Sequence, residues 1–213
     1  MRAWAIVVAG GSGARFGGAK QFGMLGGRKV VDWAVLAARS ACEGVILVLP
    51  ADQVGRVALD VQPDVVVAGG ATRSASVRAG LAQVPEGVQV VVVHDAARPM
   101  AQVGLFAAVL QALVDGADGA VAAVPVADTL KRVGPDGAVV ETVDRAGLWA
   151  VQTPQGFRLE VLRAAHAGDP EATDDAGLVE AAGGRVVVVP GDRRNLKVTD
   201  PADLALLEAF VAR

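Results

Sequence analysis

The stretch Ala5-Ile6-Val7-Val8-Ala9-Gly10-Gly11-Ser12-Gly13-Ala14-Arg15-Phe16-Gly17-Gly18-Ala19-Lys20 decides the reading of this chain. Its first five residues are apolar without alternation, the pattern of a strand buried on both faces. They run into a glycine-rich loop that carries one Arg and one Lys. Glycines let backbone N–H groups close on a phosphate because no Cβ intervenes. Arg15 and Lys20 add positive charge where a triphosphate would sit. No hydroxyl residue follows the Lys, so this is not the Gly-x-x-x-x-Gly-Lys-Ser/Thr loop. The spacing also departs from Gly-x-Gly-x-x-Gly, which disfavours hydride-transfer chemistry. A tight βα turn with solvated charges is the plain alternative.

Outward from this unit, apolar runs at Ala5–Ala9, Val45–Leu49, Val65–Ala68, Val88–Val93, Ala120–Val124 and Val186–Val189 alternate with helical patterns. The helical segments are Val30–Ala41, Ser74–Ala82, Val103–Val114, Leu159–His166, Asp174–Ala182 and Pro201–Ala212. Asp200 before Pro201 fits an N-cap with Pro at the first helical position. The rhythm predicts an α/β fold with a doubly wound, mostly parallel sheet. The chain of 213 residues is read as one domain, 1–213, large enough to bury a core.

One segment interrupts the rhythm. Thr129–Val133 and Ala138–Val143 are polar on alternate residues and flank Gly134-Pro135-Asp136-Gly137, the pattern of a protruding β-hairpin arm within about residues 128–150. A lone hairpin is marginal in water, so it must rest on its own domain or on a second subunit.

Bulk properties exclude several classes. The net charge of −3 argues against a nucleic-acid-coating protein. Cys42 is the sole cysteine, which excludes an intrachain disulfide and a cysteine zinc site; a buried structural thiol is expected. Arg2 ahead of Ala3–Ala9 is too short a leader for a signal peptide, and no run approaches the ~18 apolar residues of a membrane span. A cytoplasmic protein with no membrane partner is expected.

Ligands of open α/β sheets bind beyond the carboxyl ends of the strands, where polar residues collect here. After Val65–Ala68 come Gly69-Gly70-Ala71-Thr72-Arg73-Ser74-Ala75-Ser76. Ser74 reads as a helix cap, and Ser76 as a cap or a ligand contact. After Val88–Val93 come His94-Asp95-Ala96-Ala97-Arg98-Pro99. Asp95, one step past the strand, is placed to hold Mg²⁺ beside a triphosphate. Arg98 would pair with Asp95 or meet a substrate phosphate. Lys197, alone in Asn195-Leu196-Lys197-Val198-Thr199, reads as surface charge. His94 and His166 lack a Ser or Cys partner, and neither receives a catalytic role; His166 ends a helix, where a cation suits the dipole. More phosphate-binding cations than bases suits nucleotidyl transfer, which needs positioning and charge neutralisation.

Taken together, these segments resemble the 2-C-methyl-D-erythritol 4-phosphate cytidylyltransferase family. The matching pieces are Ala9–Arg15 with Lys20-Gln21, Gly69-Gly70 with Arg73 and Ser76-Val77, His94–Pro99, and Asp128–Arg132. Further along they are Thr142–Arg145 with Leu148-Trp149, Thr153-Pro154-Gln155, Thr173-Asp174-Asp175, and Lys197-Val198-Thr199. They occur in family order over nearly the whole chain. Ala19 stands where the family has Pro. The resemblance implies a Rossmann-like nucleotidyltransferase fold and transfer of CMP from CTP to methylerythritol phosphate, with Mg²⁺ (Mn²⁺ suits the same donors).

By the same resemblance Arg15, Lys20 and Lys197 are catalytic, neutralising charge at the α-phosphate. Ala9, Gly10, Gly11, Ser12, Gly13, Gly69, Gly70, Ser76 and Ala96 bind the nucleotide, and Asp95 the metal. Arg98, Thr129, Arg145, Thr153 and Thr173 bind the second substrate. The family exchanges the arm between subunits of a homodimer, so Arg145 and Thr129 would serve the partner's site. Some relatives fuse a second enzyme; this chain stops after Pro201–Ala212 and is expected to be the single-function form. Ribitol 5-phosphate cytidylyltransferase shares fold and CTP site, but Thr129, Arg145 and Thr173 favour methylerythritol phosphate. A guanylyltransferase and a non-catalytic nucleotide sensor remain as alternatives.

Overall fold

In the computed structural model, which describes residues 1–11 and 18–211, the first apolar run forms β1 (Ala3–Val8). Arg15, Ser12 and Gly13 lie outside the described residues. The chain continues through β2 (Met24–Leu25), β3 (Arg28–Lys29), α1 (Val30–Arg39), β4 (Gly44–Leu49), β5 (Val65–Ala68) and α2 (Arg73–Leu81). Next come β6 (Val90–Asp95), α3 (Val103–Val114), β7 (Gly119–Pro125), β8 (Leu130–Val133), β9 (Val139–Val143) and β10 (Trp149–Arg158). The remainder is α4 (Leu159–Ala165), α5 (Asp175–Ala181), β11 (Val186–Pro190) and α6 (Pro201–Val211).

Seven strands form one sheet in the order β11-β7-β10-β6-β1-β4-β5. All neighbouring pairs are parallel except those of β10, which runs antiparallel to both β6 and β7. The expected mostly parallel sheet is therefore present. Alternate residues explain why its strands are apolar throughout: Ala5 and Val7 face one core with α1 and α3, and Ile6 faces another with α2, α4 and α5. Val90 and Val92 divide from Val91 and Val93 in the same way.

The longest strand, β10, has no counterpart in the sequence reading, which saw only motifs there. Its polar Gln152 and Thr153, together with Pro154 and Gly156, hide the apolar signal. The pairing with β7 shifts register between Val151 and Gln155, where Pro154 has no N–H to give the ladder. The short β2–β3 pair was also unforeseen. The strand expected at Val88–Val93 instead reaches Asp95, so Asp95 ends the strand rather than following it. Ser74 is not the cap of α2: Thr72 is, its hydroxyl accepting from Ala75 N at 3.0 Å. Asp200 does cap α6, its carboxylate accepting from Ala202 N and Asp203 N. Cys42 packs partly buried against the first core, and burial pushes its thiol up to about 12.

The expected hairpin forms as a separate two-stranded sheet of β8 and β9, with no third strand among the described residues. Most of its side chains, Val133, Val139 and Val140 among them, are exposed.

Gly80 shows how tightly α2 sits on the sheet. A Cβ there would stand 2.6 Å from Cγ2 of buried Ile6. Alanine is favoured over glycine in a helix by about 1 kcal/mol, but overpacking a core costs about 1–3 kcal/mol. Gly80→Ala is therefore expected to destabilise the protein by roughly 1 kcal/mol, read as a lowered urea midpoint with unchanged slope. A raised midpoint would show that the helix stands clear of Ile6.

Candidate nucleotide-transfer site

Parallel strands β4 and β5 are added on one side of β1 and β6 on the other, so the chain reverses its order of strand addition at β1. The loops leaving β1 and β6 part there and leave a crevice. A cavity of about 400 Å³ occupies it, lined by the ends of β1 and β6, the Gly70–Arg73 loop, Lys20 and Lys197.

Its floor begins with Ala9, Gly10 and Gly11. Gln21, buried, reaches back and donates to Ala9 O (2.8 Å) and Gly11 O (3.2 Å), which fixes the start of the glycine loop. The sequence offered Gln21 only as the neighbour of Lys20; a lone Gln gives no local signal of such a tether.

One wall is the entry to α2. Gly70 and Ser76 line the cavity. Gly69 does not line it: its N–H goes to Leu49 O (2.7 Å), so that N–H is taken by the sheet. What Gly69 supplies is room, since a Cβ there would lie 2.8 Å from Ser76 Oγ. That hydroxyl donates to Thr72 O at 2.8 Å.

The opposite wall holds the charge. Asp95 Oδ2 accepts from Lys197 Nζ at 2.6 Å, and Oδ1 from Arg73 Nε at 3.4 Å. Burial by itself would raise the Asp95 carboxyl; Arg73, then Lys197, then Arg98 outweigh it and hold the group well below the usual carboxylate range. Arg73 is gripped from behind by Asp175 at 2.8 Å, and Asp175 in turn meets His166 Nε2 at 3.0 Å. His166 thus ends α4 bonded to a buried carboxylate, beyond the helix-end role expected of it. Arg73 was legible only as a piece of a matching motif, and its place between two carboxylates is new. Lys197, read as surface charge from its neighbours alone, lines the cavity and is half-exposed.

Thr153 is corrected. It is buried, and its Oγ1 accepts from Asp95 N (3.0 Å) while bonding His94 Nδ1 (3.0 Å). His94 Nε2 faces Arg98 O at 3.2 Å. A carbonyl only accepts, so Nε2 carries the proton and Nδ1 accepts from the threonine. Thr153 therefore anchors Asp95 from behind rather than facing a ligand. The Arg98 guanidinium turns away from the Asp95 carboxylate: it donates to Asn195 O (2.8 Å) and Val151 O (3.4 Å), while the Arg98 backbone N–H donates to Asp95 O (3.0 Å), and burial lowers the guanidinium pKa. Together with Val198 N→Ala97 O (2.8 Å), this lashes the Lys197 segment to the end of β6.

Ala96 lines the cavity beside Asp95. Thr173 is exposed one residue ahead of the Asp174 cap of α5. Thr129 and Arg145 are exposed on the hairpin segment and outside the cavity. Lys131 bonds across the hairpin to Thr142.

His94, fully buried, has its pKa lowered to about 4, from an ordinary 6.5, by desolvation first. Unfolded chains therefore bind its proton more readily, and the stability it contributes is complete above pH 6.5 and lost as pH falls toward 4. Proton NMR of the imidazoles should show the His94 resonance unmoved down to about pH 4. Titration near 6.5 would contradict the buried neutral ring.

Comparison with known proteins agrees with this arrangement. The family model described as 2-C-methyl-D-erythritol 4-phosphate cytidylyltransferase matches residues 3–213. The chain is 48% identical over 218 residues to the 2-C-methyl-D-erythritol 4-phosphate cytidylyltransferase of Frankia casuarinae, covering 100% of this chain and 82% of the relative. It is 48% identical over 229 residues to a bifunctional enzyme IspD/IspF of an Anaeromyxobacter species, covering 99% of this chain and 58% of the relative. A crystal structure of the Thermus thermophilus 2-C-methyl-D-erythritol 4-phosphate cytidylyltransferase superposes with a TM-score of 0.86 at 37% identity, covering 100% of both chains. The chain thus belongs to the 2-C-methyl-D-erythritol 4-phosphate cytidylyltransferase family.

Proposed function

We propose that this chain transfers CMP from CTP to 2-C-methyl-D-erythritol 4-phosphate, releasing pyrophosphate, in the supply of isoprenoid precursors by the non-mevalonate route. The observation that carries this reading is the convergence of Gly10, Gly11, Gly70, Lys20, Lys197 and Asp95 on one cavity at the sheet's switch point. A phosphate oxygen of the second substrate attacks the α-phosphorus of CTP, and the bond to the pyrophosphate oxygen breaks. The nucleophile comes from the substrate, so no covalent enzyme intermediate forms.

Within that reaction Ala9, Gly10 and Gly11, with Ser12 and Gly13, cradle the triphosphate. Gly70, Ser76 and Ala96 face the nucleoside. Arg15, Lys20 and Lys197 neutralise charge that grows at the α-phosphate, where fixed cations count most. Arg73 stands opposite Lys197 across Asp95 and holds that carboxylate ionised.

The donor set also bears on the metal. No group of three His, Cys, Asp or Glu side chains able to hold an ion exists among the described residues. A protein-only cage is therefore not built here. A single ionised carboxylate beside a triphosphate pocket fits a hard cation carried by the nucleotide, Mg²⁺ or Mn²⁺, with Asp95 as its protein ligand. When bound, such a cation supplies charge neutralisation to the phosphates.

Arg98, Thr173, Thr129 and Arg145 form the second-substrate side. The last two sit on an arm, about residues 128–150, that pairs two copies of this single domain. The β8–β9 hairpin is too small to stand alone and exposes Val133, Val139 and Val140, which supports a second copy as its cover. No helix among the described residues is long and apolar enough to cross a membrane, and the net charge of −3 does not favour coating nucleic acid.

Two experiments test this. Pyrophosphate release should be greatest with CTP and methylerythritol phosphate in a panel of nucleotides and polyol phosphates; preference for ribitol 5-phosphate would transfer the assignment to that enzyme. In the same assay Lys20→Ala and Arg15→Ala should each lower kcat by roughly 10²-fold with circular dichroism unchanged. The second experiment refolds inactive Arg145→Ala and Lys20→Ala together. If the arm serves the partner, one site of each mixed dimer carries both lesions and the other neither, so about a quarter of wild-type activity returns. Mixed dimers without activity would place Arg145 in its own subunit's site.

A further inference from the structure

Lys20 and Lys197 reach the cavity from opposite ends of the chain, yet one helix touches both of their segments. Leu207 of α6 closes a small third core with Leu25, Val30 and Val198, separate from the two cores of the sheet. Glu208 Oε1 accepts from Gly26 N at 3.0 Å. At Gly23, just after the Lys20–Phe22 turn, a Cβ would lie 3.6 Å from Leu204. The helix therefore straps the Lys20 turn, and the segment that feeds it carries Lys197.

At the first turn of α6, Asp203 Oδ2 accepts from Asp200 N at 3.0 Å while Asp200 Oδ1 accepts from Asp203 N at 3.2 Å. That reciprocal pair is a capping box. A cap needs no more. The same oxygen nevertheless accepts from Thr199 N at 2.7 Å and from Thr199 Oγ1 at 2.6 Å. The carboxyl is held below its ordinary pKa by the Thr199 hydroxyl first, against the opposing effect of burial, and then by the Thr199 and Asp200 amides and the charge of Lys20. One carboxylate is therefore tied to the residue two beyond Lys197, in the same helix turn whose Leu204 lies against Gly23 after the Lys20 turn.

We infer that Asp203 is a positioning residue for the transfer step: it pins the Lys197-Val198-Thr199 segment to the first turn of α6, the turn whose Leu204 packs beside the Lys20 turn, and so sets the two cations relative to each other. The inference rests on the cytidylyltransferase reading above. Asp203 touches no substrate; it acts through the lysines. Their charges matter most in the transition state, so a loosened pair should lower kcat more than it raises KM.

The test compares Asp203→Asn, Asp203→Glu and Leu113→Ala, assayed for pyrophosphate release from CTP and methylerythritol phosphate, with thermal midpoints for each. Asn keeps an acceptor oxygen for the cap but removes the charge that strengthens the bonds from Thr199. Leu113, on α3, is buried in the first core, does not line the cavity, and reports general destabilisation. Asp203→Asn is expected to lower kcat about ten-fold or more, as a misplaced catalytic group does, with KM for CTP changed far less. Asp203→Glu should recover part of that loss, and Leu113→Ala, despite its lowered midpoint, should keep wild-type kcat below its transition. Wild-type kcat in Asp203→Asn would overturn the inference, as would an equal loss in Leu113→Ala or no recovery with Glu. A wild-type enzyme that releases no pyrophosphate with either polyol phosphate would instead overturn the cytidylyltransferase reading.

Discussion

A buried carboxylate at the end of the central strand β6 is the constraint on which the site depends. Asp95 is almost wholly removed from water. An ionised carboxylate there is costly unless cations and hydrogen bonds replace its hydration. This chain supplies both kinds of compensation. Arg73 comes from the start of α2, Lys197 from the segment before α6, and Thr153 takes the backbone N–H from β10. Four parts of the sequence that share no local signal are thereby drawn to one point.

The antiparallel strand β10 makes this possible. It lies between β6 and β7 and carries Thr153 directly behind Asp95. The irregular register around Pro154 leaves Gln152 and Thr153 out of regular ladder pairing. Gln152 turns instead to Asp192 O and Asn195, and Asn195 to Thr153 O. These bonds form a buried polar layer under the 192–198 segment. Such a layer is favourable only when nearly every member is satisfied, and it then permits few other arrangements.

The cations belong to a different packing unit from the strands. The sheet is held by two large apolar clusters, one on each face, whereas α6 closes a separate cluster of four buried residues with Leu25, Val30 and Val198. Small clusters open locally at lower free energy than central strands. The scaffold that presents Asp95 is thus more firmly built than the strap that presents Lys20 and Lys197.

The sequence by itself determined the elements whose pattern is local. Continuous Val and Ala runs named six of the seven strands of the main sheet, helical spacing named all six helices, and Gly134–Gly137 named the hairpin. It also proposed the glycine-rich loop with its cations as a phosphate loop, of which Gly10, Gly11 and Lys20 line the cavity. The family's motifs went further and singled out Lys197, which local pattern alone leaves as surface charge. Tertiary structure decided the rest. It turned Thr153 inward, moved Gly69 from ligand contact to spacer, inserted β10 between β6 and β7, and brought Gln21, Arg73 and Asp203 into the account of the site. Each of those depends on a partner distant in the chain, and the direction of a hydroxyl or the partner of a carboxylate is set by which groups burial leaves within about 3 Å.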